Sequence, residues 1–435
     1  MPQLSRYWSF LFFASLGYYT LLLPWQVQWL PVTLGIMLSG LFWLLSADFR
    51  SKLQNLSGNK YAAFLFASFL IVVLGSMHSV EQEEASKEVF SKLPFLVWPL
   101  MLGSVKALEK NRMEQILRIF VLSTAVLVLV SFGYALYRYQ QFSDPVVFYF
   151  ADLLILTKVP PHYLGMYVTF AYALLMYRLI RGTPLLPKIW LNALILCLFI
   201  LAIIFIWVRM QYLLFILVNA FLVGQYIKAK KGKKVAYAAF AMFTLFFSLL
   251  LLAIPGSRSR LLDTYNELRS FEQMVENKQT NPRKFLWSEG VEVISEHFWM
   301  GVGTGSENTA LNEKLEKVDA IFWDGKHTYQ LYEMRFNYHN SFLQVFAANG
   351  VFAFALFLIL LFYPLFDLRK HPYRTEVRLF LGICILSFLT ESMLERQAGV
   401  LFFSFFYTLL LAMPHAKNQE SKLRRPALEA ESEKA

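Results

Sequence analysis

Residues Tyr338 to Gly350 read Tyr-His-Asn-Ser-Phe-Leu-Gln-Val-Phe-Ala-Ala-Asn-Gly, and the change of character inside that stretch decides the fold. A polar head, His339 and Asn340, opens onto an apolar segment that runs to Phe366 without a charged side chain. Such a run exceeds the ~20 residues a helix needs to cross a bilayer. A histidine at its mouth therefore lies at a membrane surface. The residues before it, 255–338, form a long polar stretch between two apolar segments, so whatever they build is delivered to that histidine. The expectation is an active site roofed by one large loop.

Composition sets the class. The 435 residues are 57% hydrophobic, 17% aromatic and 16% charged, with a mean hydropathy of +0.45, which describes an all-α polytopic membrane protein and not a soluble fold. A net charge of +11 could suggest nucleic acid, but the basic residues lie mostly in short loops between apolar segments, where they set orientation. Nucleic acid is excluded as a partner on that ground. Cys197 and Cys384 both fall inside apolar runs and read as small core hydrophobes.

Twelve apolar runs are candidates for transmembrane helices: Trp8–Pro24, Trp29–Ser46, Tyr61–Met77, Leu93–Val105, Ile116–Tyr137, His162–Leu179, Ile189–Val208, Met210–Ile227, Val235–Ile254, Ser341–Phe366, Leu379–Thr390 and Val400–Met413. The fourth, eleventh and twelfth are short. The first follows Arg6 without a small-residue cleavage pattern and reads as a retained helix. Most of the 41 Lys and Arg residues fall in alternate connections if the N-terminus is inside, including Arg50, Lys52 and Lys60, and the Lys228–Lys234 run, a topology anchor. Both termini are then cytoplasmic and the long loop faces outward. The expected organisation is nine transmembrane helices in residues 1–254, a loop domain in 255–338, three further helices in 339–413 and a polar, disordered cytoplasmic tail in 414–435.

The loop has the composition of a small folded unit, with amphipathic helical stretches at Lys284–Glu296 and Glu307–Val318. Between them, Gly301-Val302-Gly303-Thr304-Gly305 lacks the preceding strand and glycine spacing of a dinucleotide site, and reads as a tight turn that re-enters the roof.

The charges beside apolar segments carry the chemistry. Arg209 stands in Ile206-Trp207-Val208-Arg209-Met210-Gln211-Tyr212, with about twenty apolar residues on either side and no room for a loop. A guanidinium there costs several kcal/mol unless it meets water or a partner. It either snorkels to headgroups or binds an anion, and the anion reading is preferred because the loop supplies more arginines: Arg258, Arg260, Arg283 and Arg335.

His339 is expected in the first turn of a helix beginning near Asn337, where the positive helix end and nearby arginines keep the imidazole neutral and able to accept a proton. The same turn would offer unpaired amides to an anion, with Asn340 among the substrate-binding groups. His162, in Pro160-Pro161-His162-Tyr163, opens the sixth run in a similar way, as a structural anchor or an acceptor contact. Glu391, Glu395 and Arg396 are expected to pair with one another. No Asp-x-Asp, His-Glu-x-x-His or cysteine-histidine cluster is present, so neither a metal nor a cofactor is expected, and phosphate would be neutralised by guanidinium groups.

The isolated arginine between the seventh and eighth runs, the long loop with Arg283 and Trp287, the glycine block 301–305 and His339-Asn340-Ser341-Phe342-Leu343-Gln344 resemble the O-antigen ligase family, whose membrane core is shared with O-antigen polymerases. The resemblance covers roughly Leu93 to Met413. It implies a metal-independent, inverting glycosyltransferase of the bacterial inner membrane with its site on the periplasmic side. The implied partners are an undecaprenyl-pyrophosphate-linked glycan and a lipid A–core or related glycolipid acceptor. By the same resemblance His339 matches the proposed base, Arg209 the membrane-edge arginine and Arg283 a loop arginine; Arg335 and Arg258 match less closely. A polymerase with a second lipid-linked glycan as acceptor would use the same groups. A transporter of lipid-linked sugars would more naturally carry mid-helix acidic residues and paired broken helices.

Overall fold

The computed structural model describes residues 2–25, 29–46, 49–105, 109–230, 232–269, 282–318, 321–323, 328–368 and 371–413. The 414–435 tail, part of the Lys228–Lys234 run and the Arg260 side chain lie outside the described residues. In chain order the helices are α1 (Pro2–Leu22), α2 (Trp29–Leu45), α3 (Phe49–Ser57), α4 (Lys60–Ser76), α5 (Gln82–Lys92), α6 (Pro94–Leu102), α7 (Lys110–Phe142), α8 (Phe150–Leu153), α9 (Pro161–Ile180), α10 (Ile189–Ile206), α11 (Arg209–Lys230), α12 (Lys233–Ala253), α13 (Pro255–Arg269), α14 (Pro282–Glu296), α15 (Glu307–Val318), α16 (Ser341–Asp367), α17 (Arg374–Phe388) and α18 (Gln397–Tyr407). A π-turn over Thr408–Ala412 extends α18.

Each of the twelve apolar runs falls on a helix, which makes the protein an all-α polytopic membrane protein. Among the described residues six helices are long and apolar enough to cross a membrane alone: α7, α9, α10, α11, α12 and α16. A seventh crossing results if α2 and α3, bent by 113° at their junction, count as one span. The fourth run yields only the nine residues of α6, which begins at Pro94, carries Pro99 inside it and ends at the C-cap Gly103.

The bundle is packed through aromatic rings. Phe120 of α7, Phe170 of α9, Phe380 of α17, and Phe402 and Phe406 of α18 are fully buried. Phe406 lies 4.8 Å from Phe120, 5.1 Å from Phe170 and 6.1 Å from Phe380 between ring centroids. In lipid, where helices gain nothing from leaving water, such close packing is what holds them together. Its structural consequence is to fix the 389–396 turn, between α17 and α18, beside the first turn of α9.

The polar stretch has a small core of its own. Leu286, Val293 and Ile294 of α14 and Leu311 and Leu315 of α15 are buried with Leu331 and Tyr338 against Ala347 of α16. The spacing of four between Leu311 and Leu315, and of seven between Leu286 and Val293, puts each set on one helical face. The all-helical expectation misses a hairpin here: Ile321–Trp323 pairs antiparallel with Thr328–Gln330, in the register Phe322 to Tyr329. Their β-branched and aromatic side chains favour that choice over helix.

Helix α16 is not continuous, as the apolar run alone implied. Gly350 has φ 73° and ψ −169°, outside helical geometry. A Cβ there would lie 2.2 Å from the Trp299 carbonyl oxygen, so only glycine fits. The glycine-rich turn occupies the break. Val302 and Gly303 donate their N–H groups to the Ala347 and Ala348 carbonyls, both at 2.9 Å, and Thr304 donates to Gly75 of α4 at 3.2 Å. The 301–305 turn therefore locks the roof onto α4 and α16 by main-chain bonds.

Candidate active site

The sequence Asn337-Tyr338-His339-Asn340-Ser341 builds the site through its polar side chains. Asn340 is the N-cap of α16: its side-chain oxygen accepts N–H bonds from Phe342 at 2.9 Å and Leu343 at 3.2 Å. The helix thus starts at Ser341, not near Asn337, and His339 stands before it instead of in its first turn. Because Asn340 takes two of the amides otherwise left unpaired at a helix start, those two are not offered to an anion.

His339 has φ +43°, the left-handed region. Its N–H donates to Asn337 Oδ1 at 2.9 Å, a tight side-chain turn of the kind asparagine forms. On its N-terminal side, Tyr338 is fully buried, its hydroxyl donating to the Glu307 carbonyl at 3.1 Å and its own carbonyl accepting the Trp287 indole N–H at 3.0 Å. On its C-terminal side, Asn340 N–H donates to Ser392 Oγ at 3.3 Å. The imidazole is mounted on a backbone held from both directions.

The ring meets Glu391. His339 Nδ1 lies 2.9 Å from Glu391 Oε1, and His162 Nε2, at the start of α9, lies 3.6 Å from Oε2. The first is a hydrogen bond; the second is a charge contact beyond hydrogen-bond reach. The turn carrying Glu391 is tied down by Ser341, whose hydroxyl donates to the Glu391 carbonyl at 2.9 Å and accepts the Met393 N–H at 2.9 Å. Arg283 of α14 donates to the Thr390 carbonyl at 3.3 Å, one residue away. Burial alone would raise the Glu391 carboxyl. The His339 hydrogen bond and the charges of His162, His339 and Arg283 outweigh it and hold the carboxyl below its usual range.

His339, His162, Glu391 and Arg283 are thus gathered around one turn. Glu391 was expected to pair with Glu395 and Arg396; it pairs with the histidines instead, while Glu395 accepts from Asn308 and Asn337. The reason is packing: the turn between α17 and α18 is folded inward under Ser341, so these carboxylates face the bundle and not each other. Glu391 was legible only as an acid in the last outward turn, since its partner lies 52 residues away.

The other arginines are carried by other elements. Arg209 opens α11 after Trp207, whose φ of +62° ends α10 in a two-residue corner pinned by the Trp207 indole donating to the Gly256 carbonyl. Two residues on, Gln211 packs on Gly165 and contacts Thr169, within two turns of His162 on α9. Arg209 therefore sits at the same end of the bundle as His162. Arg258, in the first turn of α13, and Arg335, with φ +46° before the site, are exposed.

When the imidazole carries one proton, on Nδ1 toward Glu391, its Nε2 lone pair can accept another, and the carboxylate stabilises the imidazolium that results. Such a pair can deprotonate a hydroxyl at a membrane surface.

No curated protein matches the chain. Residues 208–358 match the family model described as O-Antigen ligase. That stretch contains Arg209, Arg258, Arg283, Arg335 and His339, while His162 and Glu391 lie outside it. Over that third of its length the chain, a multi-pass membrane protein, is similar to the O-antigen ligase family.

Proposed function

We propose that the protein is an O-antigen ligase: a metal-independent, inverting glycosyltransferase of the bacterial inner membrane. It would move a glycan from undecaprenyl pyrophosphate to a sugar hydroxyl of lipid A–core on the periplasmic side. The observation that carries this reading is the His339–Glu391 pair at the mouth of α16, within a family that acts on lipid-linked glycans. Lysine and arginine asymmetry supports twelve crossings with both termini cytoplasmic and the roof outside.

In this mechanism the acceptor hydroxyl gives its proton to His339 Nε2 as its oxygen bonds to the anomeric carbon from the face opposite the leaving group. The glycosidic C–O bond breaks and its electron pair leaves with the pyrophosphate, which inverts the centre. Arg209 and Arg283, with the exposed Arg258 and Arg335 and with Arg260, would meet charge that grows as the bond breaks, and so favour the transition state over the ground state. A positioned base is typically worth ~10²–10⁴-fold.

Deleting the gene and resolving lipopolysaccharide on a gel tests the reading. Loss of all long chains over an intact core is the expected result. Core capped with a single repeat would identify a polymerase, and an unchanged pattern would remove both.

A further inference from the structure

We propose that Glu395 is a positioning residue for His339, its two carboxylate oxygens gripping two asparagine amides so that the left-handed turn under the imidazole is held in place. The inference rests on the reading of His339 as the acceptor base.

The contacts form a chain. Asn308, in the first turn of α15, donates from Nδ2 to Glu395 Oε1 at 2.8 Å. Asn337 donates from Nδ2 to Glu395 Oε2. The remaining side-chain atom of Asn337, Oδ1, accepts the His339 N–H at 2.9 Å. One carboxylate thereby links the roof helix to the main chain of the histidine.

The link has something to hold. A residue with a Cβ at φ +43° is in a sparsely favoured conformation and persists only where surroundings over-determine it. The Asn337 side chain supplies that constraint only if its oxygen faces His339, and Glu395 is what turns the amide that way. Were the amide reversed, its NH₂ would confront the His339 N–H, donor to donor, and its oxygen would confront a carboxylate.

The chemistry also explains why the residue is an acid. Two amides that both donate need two acceptor oxygens, which a carboxylate supplies and a carboxamide does not. Glutamine offers one oxygen and one NH₂, so it holds both asparagines only if one of them presents its own oxygen, which Asn337 cannot do because that oxygen is taken by His339. Asn308 Oδ1 makes no hydrogen bond among the described residues, so Asn308 spends only its NH₂ here. Reversing the polarity of the Asn308–Glu395 bond therefore removes no other described interaction.

The test is a polarity swap in the full-length protein, purified in nanodiscs, with lipid-linked glycan as donor and lipid A–core as acceptor. Asn337→Asp, which sets a second carboxylate against Glu395, should lower kcat by roughly 10²-fold, the cost of a small misplacement of a reacting group, with KM for both substrates unchanged. Asn337→Asp combined with Glu395→Gln keeps the single charge, lets the new glutamine NH₂ donate to the new aspartate and leaves its oxygen for Asn308, while the other aspartate oxygen still accepts the His339 N–H. That pair should regain at least about tenfold of the lost kcat. A general structural role predicts the opposite, with the second substitution adding to the damage. Wild-type kcat in Asn337→Asp, or a folded double variant no faster than the single one, overturns the proposal. His339→Ala runs beside them: its inactivity with either of those outcomes condemns Glu395 alone, and its full activity removes the base on which the inference rests.

Discussion

His339 Nδ1 and Glu391 Oε1 stand 2.9 Å apart although 52 residues separate them in the chain. Between them runs the whole of α16 and α17, so the pair exists only because those helices return the 389–396 turn to the mouth of α16. A base whose tautomer is set by a partly buried carboxylate should depend on it. Glu391→Ala should lower transfer by roughly 10²-fold, and His339→Ala by ~10²–10⁴-fold. Glu391→Gln, which still accepts from Nδ1–H but carries no charge, should fall between wild type and Glu391→Ala. Purified variants assayed separately for donor binding and product formation check this, with donor binding unchanged in all three. Wild-type turnover in Glu391→Ala would detach the carboxylate from the mechanism.

The helices were legible because uninterrupted apolar runs admit no other backbone-satisfying structure in lipid. His339 stood out because a polar head on such a run must sit at a boundary. What could not be read depends on partners distant in sequence. Glu391 finds His339 and His162 through tertiary packing, and Gly350 interrupts α16 because the 301–305 turn takes the carbonyls it frees. The helix start shifted from Asn337 to Ser341 for a local reason: Asn340 caps, while Asn337 turns back to His339. Two asparagines three residues apart offer the same capping chemistry, and the sequence does not rank them.

Arg209 sits beyond the Trp207 corner, at the start of α11. Arg209→Lys keeps a charge that can reach headgroups but loses the planar fork that grips two phosphate oxygens at once. If Arg209 clamps pyrophosphate, kcat/KM for the donor should drop roughly tenfold or more, with membrane level and melting temperature unchanged. Unaltered kinetics in Arg209→Lys would leave it a membrane anchor.

The orientation can be read with single cysteines in a Cys197→Ser, Cys384→Ser background. Ser288 on α14 and Gly58 between α3 and α4 are both exposed, and a Cβ at Gly58 meets nothing within 4 Å. With outer-membrane-permeabilised cells and a membrane-impermeant maleimide, Ser288→Cys should label and Gly58→Cys should not until the inner membrane is opened. The reverse pattern would put the roof in the cytoplasm and end the ligase reading.

The roof should respond to pH through Glu307. Its side chain is buried at the start of α15, accepting the Gly305 N–H at 2.8 Å and Gln344 Nε2–H at 3.2 Å. Burial, with a contribution from Glu88 and Glu395, pushes its carboxyl from the usual 4.5 up to about 7, against the pull of those hydrogen bonds. A raised carboxyl favours the folded state while protonated, so its contribution is complete below pH 4.5 and is lost as pH rises through about 7. A shift of that size corresponds to roughly 3 kcal/mol across the window. Glu307→Gln, neutral at every pH and able to keep one acceptor oxygen for Gly305, should abolish most of that dependence. Hydrogen–deuterium exchange of the peptide covering α15 is the measure: wild type should exchange faster at pH 8 than at pH 5 once intrinsic rates are corrected, and the variant should show little difference. An equal pH response in the two proteins would mean that Glu307 is not the titrating group that loosens the roof.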